Sequence, residues 1–240
     1  MTFNSFTPVA LTQSGILLVN KPSGPTSYDM IRWIKRSLKN IKIGHCGTLD
    51  PMAEGLLIIL LGKATKEQSQ YMGADKIYLC RMRLGIQTDT GDLMGKTIKE
   101  SADFSFPSES ALRQCLQKFL GEQQQIPPMY SALKVEGTRL YKLAREGITV
   151  ERKPRQIAIR TIDLVKILPP NEFEFRVHCT SGTYIRTLVE DVGNQLGVPA
   201  TMSGLVRESI GKFNLTDALS GDELKKMGES AIWDWVKPIH

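Results

Sequence analysis

The chain has 240 residues, 41% of them hydrophobic, with 31 Lys and Arg against 25 Asp and Glu and a net charge of +6. That length and apolar share suffice for one substantial core, or one core with an inserted subdomain, and exclude fibrous, disulfide-scaffold and disordered classes. Met1 to Gln13 carries no basic charge ahead of its apolar residues, so no secretory signal is expected, and the longest apolar run, Leu56 to Leu61, is too short to cross a bilayer. Cys46, Cys80, Cys115 and Cys179 are scattered without a Cys-x-x-Cys pair, and His45, His178 and His240 do not cluster near them. Reduced thiols in a cytoplasmic, soluble protein are expected, with no zinc site and no disulfide framework.

In chain order, Gly15 to Val19 reads as an apolar strand that enters the Pro/Gly turn Asn20 to Pro25. Thr26 or Ser27 caps a helix to about Lys39, with Ile31, Ile34 and Leu38 inward. Asn40 to Glu54 is loop-like, broken by Gly44, Gly47 and Pro51, and Gly55 opens a buried strand to Leu61. A short helix is predicted over Ala64 to Tyr71. A strand follows over Ile77 to Leu84, with Tyr78, Cys80, Met82 and Leu84 on one face and Arg81 and Arg83 on the other. Thr88 to Asp92 is turn material, and the stretch to Phe106 is weakly patterned.

Past Pro107 a helix is predicted over Ser108 to Leu120, with Leu112, Cys115, Leu116 and Phe119 inward. Pro127-Pro128 forces an extended segment, and a helix from Thr138 to Glu146 ends at Gly147. Strands are predicted near Ile157 to Ile167 and Glu172 to Cys179, the second alternating cleanly. A helix begins at Ser181-Gly182-Thr183 and runs to about Leu196, before a last strand over Thr201 to Ser209. The sum is an α+β fold with a mixed, largely antiparallel central sheet flanked by helices.

Two concentrations of basic residues stand out: Arg32, Lys35, Arg36 and Lys39 at helical spacing, and Arg139, Lys142, Arg145, Arg152, Lys153, Arg155 and Arg160. They are either solvated faces or patches that neutralise nucleic-acid phosphates, and composition leaves both open. Asp50 departs from the other acidic residues, most of which sit in helices among basic ones. It lies in a glycine-punctuated loop before a buried strand, stiffened by Pro51, where a carboxylate stands at the mouth of the core. On physics alone an Asx-type turn is the commoner role for such an aspartate.

The segment Gly44-His45-Cys46-Gly47-Thr48-Leu49-Asp50-Pro51-Met52-Ala53-Glu54-Gly55-Leu56-Leu57 closely resembles the catalytic segment of the TruB family of pseudouridine synthases. Colinear similarity extends from about Gly15 to Phe213. It includes Gly15 to Gly24, Gly62 to Lys66, Lys76-Ile77-Tyr78, Leu84 to Asp92, Gln125 to Lys134 and Ser181 to Leu188. The resemblance implies the pseudouridine synthase fold and conversion of uridine to pseudouridine in the T loop of tRNA, at uridine 55. It implies no cofactor, since the isomerisation is redox-neutral.

It further implies Asp50 as the essential carboxylate, acting as nucleophile or as base, and Arg186 as its partner. Tyr78 would stack on the target base, and His45 would enter the RNA loop beside the extruded nucleotide. Asp92 and Tyr184 would complete the pocket, while Lys21 would support local structure or a phosphate. The implied organisation is a catalytic domain over residues 1–213 and a short extension over 214–240, holding Trp233 and Trp235 and too short for the RNA-gripping PUA domain of many relatives. RNA affinity would then rest on the basic patches. The T-arm of tRNA is the implied partner of a monomer that needs no membrane and no obligate protein partner. The alternatives are a guide-dependent synthase acting on ribosomal RNA and a non-catalytic RNA-binding or tRNA-folding module.

Overall fold

A computed structural model describes residues 14–135 and 137–239; the expectations for Met1 to Gln13 lie outside them. Strand β1 (Gly15–Lys21) leads into α1 (Ser27–Ser37), β2 (Ile43–Cys46) and β3 (Glu54–Leu61). A 3-10 turn (Gly62–Glu67) precedes α2 (Gln68–Gly73), β4 (Lys76–Leu84), the hairpin of β5 (Ile86–Thr88) and β6 (Thr97–Glu100), then α3 (Glu109–Gln117) and β7 (Gly121–Gln125). The short pair β8 (Lys134–Val135) and β9 (Thr138–Arg139) carries α4 (Leu140–Arg145). There follow β10 (Arg155–Leu168), β11 (Glu172–Cys179), α5 (Ile185–Leu196), β12 (Ala200–Ile210), β13 (Phe213–Asn214), β14 (Leu219–Ser220), α6 (Gly221–Leu224) and α7 (Glu229–Trp233).

One sheet runs β14-β1-β3-β12-β4-β11-β10-β7, with β2 added to β3 and β13 to β12. Only the β1–β14 and β3–β12 pairings in it are parallel, so the sheet is mixed and largely antiparallel, as expected. The apolar run of β3 is explained by burial on both faces. Leu57, Ile59 and Leu61 pack with Ile31 and Ile34 of α1, and Leu56, Ile58 and Leu60 pack with Tyr71 and Ile210. The alternating β4 and β11 instead bury one face under α3 and α5. Their other face carries ion pairs set by register: Arg81 with Glu174 at 2.8 Å and Arg83 with Glu172 at 2.9 Å.

Several elements differ from expectation. Residues assigned to the Asn40–Glu54 loop include β2, whose backbone pairs with β3 despite its Gly44. The single helix expected over Ala64 to Tyr71 is a 3-10 turn followed by α2. The polar Gly121–Gln125 forms an edge strand on β10, where a one-sided apolar pattern is not required. Helix α5 starts at Ile185, because Gly182 at φ +86° turns the chain just before it. Residues after Phe213 are tied to β1: Leu219 pairs with Val19, and Ile16 exchanges two 2.8 Å backbone hydrogen bonds with Lys237. No helix among the described residues is long and apolar enough to cross a membrane.

Candidate active site

The Asp50 loop is pinned from three sides. At its front, the first residue of α1 grips it: the Ser27 hydroxyl donates to the Leu49 carbonyl at 3.1 Å and accepts from the Leu49 amide at 2.9 Å. That helix starts where it does because Thr26 and Asp29 form a reciprocal capping box. At the side, the buried Lys21 ammonium donates to the carbonyls of Pro22 and Pro25 at 2.8 Å and of Pro51 at 3.1 Å. Burial pushes its pKa down to about 8. Lys21 thus braces backbone, which is the structural half of what its sequence position suggested.

From below, Arg207 of β12 donates from Nε to the Leu56 carbonyl at 2.7 Å and from Nη2 to the Gly47 carbonyl at 3.0 Å. It therefore ties both ends of the loop. Gly55, at φ +103°, lets β3 lie against the Arg207 backbone; a Cβ there would meet the Arg207 amide nitrogen at 2.7 Å. Only glycine fits that combination of dihedral and contact.

Asp50, held between these clamps, meets Arg186 from the first turn of α5: Nε lies 3.0 Å from Asp50 Oδ2. The Arg186 side chain is 6% exposed and the Asp50 side chain 36%, so the carboxylate is presented to solvent while its partner is buried. Arg186 also donates to the Thr90 carbonyl at 2.6 Å and the Tyr130 carbonyl at 2.7 Å. Its guanidinium fork thereby joins the β5–β6 loop, the segment before β8 and the Asp50 loop. Asp92 stands 4.0 Å from Arg186 Nε and accepts from the Thr90 hydroxyl at 2.7 Å and the Met94 amide at 3.0 Å.

Asp50, Asp92, Arg186 and His45 line one cleft of about 840 Å³, a size suited to a small organic group. His45 on β2 has a buried Nδ1 with no hydrogen-bond partner among the described residues, and burial, reinforced by Arg207, lowers its pKa. The other two expected site residues stand behind the cleft lining, each near enough to Asp50 for its charge to act on the phenol. Tyr78 is buried on β4 in the core that includes Leu49 and Ala53, and burial raises its phenol pKa. Tyr184 caps α5, half-buried, its backbone held by Gln125 in two hydrogen bonds of 2.8 and 3.0 Å. Neither lines the cleft.

The cleft also takes side chains to which the sequence reading gave no site role, among them Tyr28, Met94, Tyr130 and Tyr141. Tyr130 lies in a motif noted above, whereas Tyr28 carries no local signal beyond its place at a helix start. Of the second basic concentration, Arg139 and Arg145 reach the cleft. Arg152 donates to the Pro127 carbonyl at 3.1 Å, and Arg160 pairs with Asp75 at 3.3 Å.

Residues 35–185 match the model of the TruB family pseudouridylate synthase (N terminal domain). The chain is 48% identical over 205 residues to tRNA pseudouridine synthase B of Endomicrobium trichonymphae, an alignment covering 85% of this chain and 88% of that protein. It is 43% identical over 226 residues to the protein of the same name from Opitutus terrae, covering 94% and 93% respectively. Among solved structures, a chain of a Cbf5-Nop10-Gar1 complex superposes with a TM-score of 0.72 at 29% identity, over 93% of this chain and 60% of that one.

Proposed function

The chain belongs to the TruB family of pseudouridylate synthases, and from that membership we propose that the Asp50 cleft receives uridine 55 of the tRNA T loop. The reaction, isomerisation of uridine to pseudouridine in tRNA, breaks the bond between uracil N1 and ribose C1′ and forms one from C5 to C1′. N1 gains a proton and C5 loses one, so no redox cofactor enters the balance. The target base must leave its stack to reach a carboxylate inside a cleft. Asp50 is the catalytic residue, attacking C1′ or taking the C2′ proton, and either route uses an ionised carboxylate aimed at the sugar.

The observation that carries this reading is the Asp50–Arg186 pair at 3.0 Å in the cleft. Arg186 orients the carboxylate, Asp92 holds the loop that feeds Arg186 a carbonyl, and His45 fills space beside the flipped base. Tyr78 stacks on the target base from the core side, and Tyr184 completes the pocket. The partner is the tRNA T-arm, engaged by a cytoplasmic monomer whose catalytic unit spans residues 1–213. Two relatives at 48% and 43% identity are named for tRNA, which favours this substrate over a guide-dependent one.

The test is incubation of purified protein with unmodified tRNA transcript, mapping pseudouridine by a base-specific chemical probe. Product is expected at position 55, none from a transcript with cytidine there, and none from Asp50→Asn, which still binds tRNA. Product from Asp50→Asn at the normal rate would remove Asp50 from the chemistry.

A further inference from the structure

Tyr28 is a large aromatic side chain left 52% exposed on the first turn of α1, one residue after the Ser27 that grips the Asp50 loop. Isolated exposed aromatics are ordinary and need no function. Tyr28 differs because it lines the cleft that contains Asp50 and because its ring is braced. The Arg32 guanidinium lies over the ring, 5.0 Å from its centroid. Arg32 is itself held by Asp29 at 3.0 Å, and Asp29 is fixed by the Thr26 capping box, its Oδ2 accepting from the Thr26 amide at 2.9 Å. A chain of contacts thus runs from the helix cap to an exposed ring.

The same device recurs on a second helix: Arg145 lies over the Tyr141 ring at 5.5 Å, four residues on, and both side chains line the same cleft. In each pair the cation lies over one ring face, and the Tyr28 ring remains exposed to receive a second planar group. A stacked cation strengthens the ring's hold on its neighbour and brings a positive charge beside it. Unstacked nucleotides combine a planar base with an adjacent phosphate, and aromatic side chains backed by arginine are how single-stranded nucleic acid is held without reading sequence.

We infer that Tyr28, braced by Arg32, is a stacking site for an unstacked tRNA nucleotide next to the target uridine, so that α1 forms part of the RNA-binding surface. This rests on reading the cleft as a tRNA site and adds to it a side chain that determines affinity rather than chemistry. The basic residues Lys35 and Arg36, exposed further along α1, and Lys39 just past its end continue the positive surface away from the ring.

The experiment compares wild type with Tyr28→Phe, Tyr28→Leu and Tyr28→Ala in steady-state pseudouridine formation on tRNA transcript. Alongside it, direct binding of the same tRNA is measured in an Asp50→Asn background, where no product forms. Loss of one base–aromatic stack is expected to raise KM and Kd about tenfold for the leucine and alanine variants, with kcat little changed. Phenylalanine should behave as wild type, because it keeps the ring. Leucine matching phenylalanine would show that bulk alone matters and would overturn the stacking site, as would alanine binding like wild type. A fall in kcat at unchanged KM would also overturn it. If wild type forms no pseudouridine yet binding still depends on the Tyr28 ring, the activity fails and the stacking site stands.

Discussion

Arg186 Nε stands 3.0 Å from Asp50 Oδ2 while its two terminal nitrogens donate to the Thr90 and Tyr130 carbonyls. The guanidinium therefore does two jobs, orienting a carboxylate and locking together three segments that are distant in the chain. Lysine keeps the charge but has a single nitrogen and no fork. Arg186→Lys is expected to lower kcat on tRNA about 100-fold, the penalty for small misplacement of a reacting group, with a much smaller change in Kd. A kcat within threefold of wild type would separate Arg186 from the chemistry.

Gly55→Ala tests the clamp below the loop. At φ +103° an alanine is strained, and its Cβ would press on the Arg207 backbone, moving the side chain that holds Gly47 and Leu56. Denaturant unfolding should show a loss of more than about 1 kcal/mol, the usual scale for alanine forced into a left-handed glycine position. Activity should fall even where the variant is fully folded. An alanine variant as stable as wild type would contradict the close approach of β3 to β12.

These two cases show what the sequence made legible. The run Leu56 to Leu61 and the alternation of Phe173, Phe175 and Val177 announce strands because burial imposes a pattern on side chains. The glutamine-rich β7 has no such imprint, since backbone pairing to β10 rather than an apolar face holds it in place, and in β2 only Cys46 of the four residues is fully buried. The resemblance singled out Asp50 and Arg186 in separate motifs, and their meeting at 3.0 Å is a property of the fold. Arg207 carries no signal in the sequence, because a strand arginine normally faces solvent; only its burial against the Gly47 and Leu56 carbonyls reveals a structural role. Tyr28 is silent in the sequence for the opposite reason: its ring is exposed, and its setting depends on Arg32 one helical turn away.

Lys21 makes stability depend on pH in a defined direction. Burial holds its folded-state pKa near 8, against 10.5 ordinarily, and Lys76 is lowered to about 8 by burial as well. Below about pH 8 both folded and unfolded chains keep the proton, so the penalty of a buried ammonium is fully present. Between that value and the ordinary one the unfolded chain binds more protons, and unfolding free energy rises with pH on account of these lysines. Stability of wild type relative to Lys21→Met should therefore be flat near neutrality and shift in favour of wild type above about pH 8, as read by denaturant midpoints. A difference that stays constant through the alkaline range would mean that Lys21 loses its proton at the same pH folded and unfolded.

The second basic concentration separates into residues that face the cleft and residues already engaged. Arg145 is exposed and lines the cleft, whereas Arg160 is paired with Asp75 at 3.3 Å. Each phosphate neutralised by a cation contributes about one unit to the slope of log affinity against log salt. Arg145→Ala should weaken tRNA binding and reduce the magnitude of that slope by about 1, measured across a salt series with the Asp50→Asn protein. Arg160→Ala should leave the slope unchanged, because its charge is offset by Asp75 before RNA arrives. Equal losses from both variants would point to diffuse attraction by net charge, and an unchanged slope in Arg145→Ala would remove α4 from the phosphate-binding surface.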